Sequence, residues 1–338
     1  MPIFEINLPK TISKALGIPQ KSPKRAQQRV LKKLLRRARY TAFGQKNKFE
    51  QILLSRHPGK TFQQNVPTYN YNKIYKEWWY QTLDGKEDIC WPGKVKYFAL
   101  SSGTSESASK HIPVTQDMIK SIKRVGFKQL CSLTNFDIPS ATFQKGVLML
   151  GGTTSLFEKG EYYEGDMSGI SAKNMPRWMS ALLYKPGKKI AKKPKWEDRI
   201  KLIVRNAKKW DVGTVCGVPA WVQIVFEEII KYHKLNTIHD IWPNLNIYIH
   251  GGVSFEPYKD SFSKLLAKPI SFVETYMASE GSFGFKAHPN DSGIKLVLNA
   301  GIFYEFVPFN ALAIMKLFLK IYFFPRNSPG TIYSPYRS

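Results

Sequence analysis

An α/β fold is predicted by three features of the sequence. Short apolar runs rich in Val, Ile, Tyr and Phe recur along the chain, and each ends in small flexible residues. Helical stretches lie between several of them, which favours strands joined through crossovers. The Gly, Ser and Thr clusters follow the runs directly, where ligands of open α/β sheets bind.

Taken in order, the chain to about Pro67 reads as helical, basic and connective. Its clearest element starts at Ser22, a capping residue, followed by Pro23 in the first turn. Ala26, Val30, Leu31, Leu34, Leu35 and Ala38 then fall on one face, with Lys and Arg opposite. The expected strands are VKYFAL before SSGTS, VLMLGG before TTS, DVGTVCG before VPAW, NIYIHGG before VSF, SFVETYM before ASEG, and GIFYEFVPF. Pro219 to Leu235 is the clearest helix among them, with Val222, Val225, Phe226, Ile229 and Ile230 on one side.

The 338 residues are 43% apolar and 22% charged, as in a globular protein, which excludes disorder, collagen-like repeats and a disulfide scaffold. Cys90, Cys131 and Cys216 show no metal spacing and suit a reducing compartment. The start, MPIFEINLPK, has no apolar signal core, so a cytoplasmic location is expected. Phe306 to Pro325 is interrupted by Pro308, Asn310, Lys316 and Lys320, which argues against a membrane span.

The formal charge of +26 favours anionic partners. Eleven basic residues and no acid lie between Lys21 and Lys48. Eleven more, against Glu197 and Asp198, lie between Lys185 and Lys209, which reads as an exposed loop leading into a helix. The first stretch suits a solvated helix face, nucleic acid or a transit peptide. No zinc-finger spacing, RNP aromatic motif or GxxG clamp supports nucleic-acid binding, so no nucleic-acid partner is expected.

Three loops can carry chemistry. Ser101-Ser102-Gly103-Thr104-Ser105 offers hydroxyls and backbone N–H groups to phosphate oxygens, and Lys110 adds a point charge, although the Walker A spacing is absent. Tyr276-Met277-Ala278-Ser279-Glu280-Gly281 sets one carboxylate among small residues, either as a Mg²⁺ ligand or as a cap of the following turn. Tyr304-Glu305-Phe306 is strand-like. The glycine pair after His250 allows a ligand to approach the backbone, and His250 itself is either a base or a structural histidine. No GxSxG elbow is present.

In this order, SSGTS, YMASEG and YEFVP resemble the three nucleotide motifs of the Gretchen Hagen (auxin-responsive promoter) family of acyl-acid amido synthetases, within the adenylate-forming superfamily. The flanking FQQNVPTY and HGGVSFEPY belong to the same resemblance, which runs from about Ala26 to Phe309. It implies a large luciferase-like domain of mixed sheets flanked by helices, ATP and Mg²⁺ as cofactors, and an acyl-adenylate formed from a carboxylic acid and captured by an amine or amino acid. By motif, Ser101, Ser102, Gly103, Thr104 and Ser105 would hold the ATP phosphates. Tyr276, Ala278, Ser279 and Gly281 would line the adenine and α-phosphate side. Glu280 would take the metal, and Tyr304, Glu305 and Phe306 would border the nucleotide and acyl pocket. Lys110 sits one residue later than the superfamily's lysine.

From Asn310 the text departs from the family. Asp291 is its last aspartate and Glu305 its last acid, so no YRxGD-like segment follows. The expected organisation is a basic helical region over 1–67, an α/β nucleotide- and acyl-binding domain over 68–309, and a tail over 310–338. That tail reads as frameshifted, leaving a large domain without its small C-terminal lid. The expected activity is therefore an impaired synthetase; the alternative is a non-catalytic nucleotide- or acyl-acid-binding remnant.

Overall fold

The computed structural model describes residues 22–101 and 109–306. The expectations for the tail from Asn310, and for Ser102, Gly103, Thr104 and Ser105, therefore lie outside the described residues.

Helix α1 (Pro23–Ala38) forms as its sequence dictates. The Ser22 hydroxyl accepts a hydrogen bond from the Arg25 N–H, and Val30, Leu31, Leu35 and Ala38 are buried. The basic face, including Arg29 and Lys33, is exposed. Short helices α2 (Ala42–Lys46), α3 (Phe49–Leu54) and α4 (Pro58–Asn65) follow, and Leu31, Leu35, Phe49, Ile52 and Val66 close a small helical core.

Two sheets follow. The smaller has the order β2-β1-β5-β4, from β1 (Tyr97–Ser101), β2 (Lys110–Val114), β4 (Phe157–Lys159) and β5 (Tyr162–Gly165). The larger comprises β3 (Gly146–Met149), β6 (Tyr184–Lys185), β7 (Val212–Cys216), β8 (Ile247–His250), β9 (Ser271–Ala278), β10 (Gly281–Phe285) and β11 (Lys295–Leu296), in the order β11-β10-β9-β8-β7-β3-β6. Strands β6, β3, β7, β8 and β9 pair in parallel, while β10 and β11 add antiparallel.

Parallel strands need cover on both faces, and their near-continuous apolar runs reflect that need. Helix α7 (Pro219–His233) buries Val222, Val225, Phe226 and Ile229. With α8 (Lys259–Leu265) it supplies the main core, where Phe226, Trp242, Tyr248 and Phe262 are fully buried. Each such aromatic contributes about 2–3 kcal/mol by leaving water. Helix α5 (Gln116–Ser132) joins the sheets: it follows β2 and packs on β10, with Val125 against Phe285, Val297 and Ala300.

Two expectations need correction. GIFYEFVPF does not form a strand over Gly301–Glu305, and Phe306 makes only a single-residue bridge. The basic stretch leads into a helix as expected, but its loop is interrupted and its cations are not all exposed. It holds a helical turn at Lys188–Ala191 and helix α6 (Trp196–Asn206), whose Arg199 is buried, donates to the Gly151 carbonyl at 2.6 Å and lies over the Trp196 ring.

Candidate active site

The second motif is a β-hairpin. Ala278 pairs with Gly281, leaving Ser279 and Glu280 as its two-residue turn. Pairing then shifts, with Ser282 opposite Met277 but Gly284 opposite Tyr276, so Phe283 is the extra residue of a bulge. The Tyr276 and Phe283 rings lie 4.9 Å apart, with Tyr276 52% exposed. Glu280 is exposed at the tip and makes no hydrogen bond or ion pair with another described residue, so the expected capping role has no partner there.

The third motif meets the second. The Tyr304 hydroxyl donates to the Phe283 carbonyl at 3.3 Å, and its ring lies 6.4 Å from Phe283 and 6.5 Å from Phe306. Burial pushes the Tyr304 phenol well above its ordinary range, which keeps it a donor. The backbone leading to it is held from α1. The Gln27 carboxamide donates to the Leu298 carbonyl at 2.7 Å and the Ile302 carbonyl at 3.2 Å, and accepts the Tyr304 N–H at 2.7 Å. Sequence reasoning missed Gln27. The available signal was a lone uncharged polar residue on the apolar stripe of a helix whose other polar positions are mostly Lys or Arg.

The first motif is described only at its stem. Ser101 and Lys110 face each other in the β1–β2 register, so residues 102–109 connect the two strands. The Lys110 ammonium lies 5.3 Å from the centroid of the Tyr71 ring. Through α5 this stem is tied to β10 and to the loop before Tyr304, because the Ser121 hydroxyl donates to the Ala300 carbonyl. Motifs two and three are thus in contact, and motif one joins them through one helix.

His250 ends β8 opposite Glu274 of β9. Its ring stacks on Phe255 at 4.7 Å, it is 5% exposed, and Nδ1 is buried without a hydrogen-bond partner among the described residues. Burial, aided by the Lys286 charge, lowers its pKa from 6.5 to about 4, so it is neutral and a weak base near pH 7. Glu274 is shifted the other way by its own burial, with Lys286 opposing, and the Lys286 N–H donates to the Glu274 carbonyl at 2.8 Å. This row of ionisable residues was not foreseen. The glycine pair also has a structural reason: a Cβ on Gly251 would stand 2.4 Å from the Thr275 carbonyl oxygen, and Gly252 takes φ +86°.

Cys90, Cys131 and Cys216 are free thiols, and burial pushes Cys90 and Cys216 up to about 12, far from the thiolate form. Among the described residues no cluster of three His, Cys, Asp or Glu side chains could hold a metal ion. Among them, too, no helix is long and apolar enough to cross a membrane.

The fold has clear relatives among solved structures. A GH3.15 acyl acid amido synthetase superposes with a TM-score of 0.64 at 15% identity, covering 88% of this chain and 61% of that one. AtGH3.15 acyl acid amido synthetase in complex with 2,4-DB gives the same values. A 2-hydroxyisobutyryl-CoA ligase in an open conformation, in complex with 2-HIB-AMP and CoA, gives a TM-score of 0.51 at 13% identity over 83% of this chain and 60% of that one. This chain therefore spans about three fifths of the length of these relatives, and at such identities the likeness is one of fold, an α/β body of mixed sheets with flanking helices. No curated protein matches by sequence. Residues 18–207, more than half of the chain, match the GH3 family N-terminal domain, and the chain belongs to the GH3 family.

Proposed function

We propose that the chain acts as an ATP-dependent acyl-acid amido synthetase, activating a carboxylic acid as its acyl-adenylate and passing the acyl group to an amine or amino acid. The observation that carries this reading is the junction of the second and third motifs, where the Tyr304 hydroxyl meets the Phe283 carbonyl in a chain of the GH3 family.

The chemistry suits the residues. A carboxylate attacking the α-phosphorus of ATP brings anions together, and the loop from Ser101 to Ser105 supplies N–H and hydroxyl donors to neutralise them, with Lys110 as a nearby cation. Tyr276, Ala278, Ser279 and Gly281 line the adenine and α-phosphate side, and Tyr304, Glu305 and Phe306 border the nucleotide and acyl pocket. Pyrophosphate leaves, and the amine nitrogen then displaces AMP from the acyl carbon. No enzyme nucleophile is required, in keeping with the protonated thiols and the weakly basic His250.

The donor set around Glu280 fits Mg²⁺. An exposed carboxylate that no other described residue engages offers hard oxygen to an ion otherwise coordinated by phosphates and water, rather than by an all-protein cage. Bound there, the ion would supply neutralisation of phosphate charge. We read 1–67 as a helical region packed on the main domain, 68–309 as the nucleotide- and acyl-binding domain, and 310–338 as a separate tail.

ATP–pyrophosphate exchange with a panel of carboxylic acids tests the reading. Exchange that depends on one class of acid is expected. ATP binding without exchange for any acid would favour a non-catalytic binding protein.

A further inference from the structure

We infer that Gln27 is a positioning residue for the nucleotide rim, acting through Tyr304; the inference rests on the nucleotide reading proposed above. Tyr304 is held at both ends. Its hydroxyl is on the Phe283 carbonyl of β10, and its N–H is on Gln27 Oε1. The same carboxamide closes the preceding loop by donating to the Leu298 and Ile302 carbonyls. One side chain therefore takes the hydrogen bonds that a neighbouring strand would have taken, which is why Gly301–Glu305 runs without a ladder.

The anchor is stiff on its own side. Gln27 shares a face of α1 with Leu31 and Ala38, which are buried in the helical core. Phe303 packs into that core, 5.8 Å from Phe62 in an edge-to-face arrangement. The Ser121 hydroxyl and the Val125 cluster hold Ala300 from α5. The loop is thus gripped by α1 and α5 together, and among the described residues only Gln27 reaches the Tyr304 backbone with a side-chain hydrogen bond. Removing the carboxamide leaves three backbone groups to find new partners. The segment must reseat, carrying the Tyr304 ring away from Phe283 and hence from Tyr276. The fold of α1 does not depend on these bonds, because its core face is intact without them.

The test uses the full chain and two readouts: amide hydrogen exchange at Tyr304, and ATP affinity by calorimetry with Mg²⁺. Gln27→Met keeps the length and loses all three bonds. It should raise Tyr304 exchange and weaken ATP binding, each about tenfold, the scale of one or two lost hydrogen bonds. Gln27→Glu keeps the acceptor but sets a carboxylate against two carbonyls, and it should weaken ATP binding at least as much. Leu31→Val thins the same helix's packing without touching the carboxamide. It should lower the unfolding midpoint yet leave exchange and affinity within about twofold. Unchanged Tyr304 exchange in Gln27→Met, or an equal affinity loss in Leu31→Val, overturns the inference. A wild-type chain that binds no ATP overturns the nucleotide reading and with it any role of Gln27 in binding, while the exchange result still judges the clamp by itself.

Discussion

Strands β7 and β8 bury nearly every side chain, whereas the β9–β10 hairpin beside them leaves Tyr276, Met277 and Glu280 in solvent. Both belong to one sheet. The parallel part is covered by α7 and α8 and closed by Phe226, Trp242, Tyr248 and Phe262. At the antiparallel edge Phe285 is buried against Val125, while a second line of aromatic rings runs from Tyr276 through Phe283 to Tyr304 and Phe306. The difference separates two kinds of cost. Substitutions in the parallel part should be felt in folding, and substitutions along the edge in binding, because one set of side chains holds the molecule together and the other lines the nucleotide rim proposed above.

The largest expected effect breaks the core. Phe226→Ala removes a fully buried ring in contact with Trp242 and Phe262 and should cost about 3–5 kcal/mol in a urea titration. A loss below about 1 kcal/mol would mean that the parallel part is not the chief source of stability.

The boundary between the two regions is set by His250, and pH probes it. In the unfolded chain this imidazole takes a proton near 6.5, and in the folded chain only near 4. Between those values the unfolded state binds more protons, so stability is fully present above about 6.5, falls as pH drops and levels off below about 4. The span corresponds to roughly 3–4 kcal/mol. His239, also buried and lowered, acts in the same direction, and Glu274, raised by burial, acts in the opposite one. His250→Phe keeps the stack on Phe255 without the titration. Its stability profile should be flatter than that of the wild type by about that amount, and identical profiles would refute the burial argument.

At the edge, Glu280→Gln keeps the shape of the hairpin tip and removes its charge. Folding stability should change by less than about 0.5 kcal/mol, since the carboxylate is exposed and engages no described partner. ATP affinity should lose most of its dependence on Mg²⁺, a change of about tenfold at saturating metal. A titration in which Mg²⁺ still strengthens binding as in the wild type would remove Glu280 from the metal site.

The same contrast explains what could be read from the sequence. β1, β3, β7, β8, β9, α1 and α7 were legible because burial forces apolar periodicity on them. The β4–β5 hairpin was not, because FEKGEYYEG is short and polar and leaves Phe157 59% exposed, so no apolar run betrays it. Tyr304 to Phe306 carried a strand's composition without becoming a strand. Its decisive hydrogen-bond partner is a side chain 277 residues away, and pattern within a window cannot register such a partner. The motifs mark out the proposed nucleotide rim, but they do not point to the helix whose Gln27 holds Tyr304.

The smallest expected effect sharpens the comparison within α1 itself. One side of this helix reaches the rim through Gln27, while Arg29 and Lys33 stand exposed on the basic face. Reversing both, as Arg29→Glu with Lys33→Glu, changes the formal charge by four, from +26 to +22. Solvent charges act on a bound nucleotide only through the screened field, which decays over about 8 Å at physiological salt. Neither side chain has a salt-bridge partner among the described residues, so no local contact is broken. ATP affinity should therefore stay within about twofold of wild type at physiological salt, with any residual effect vanishing as salt is raised. A salt-insensitive loss of tenfold would mean that the basic face, and not only the carboxamide beside it, borders the nucleotide.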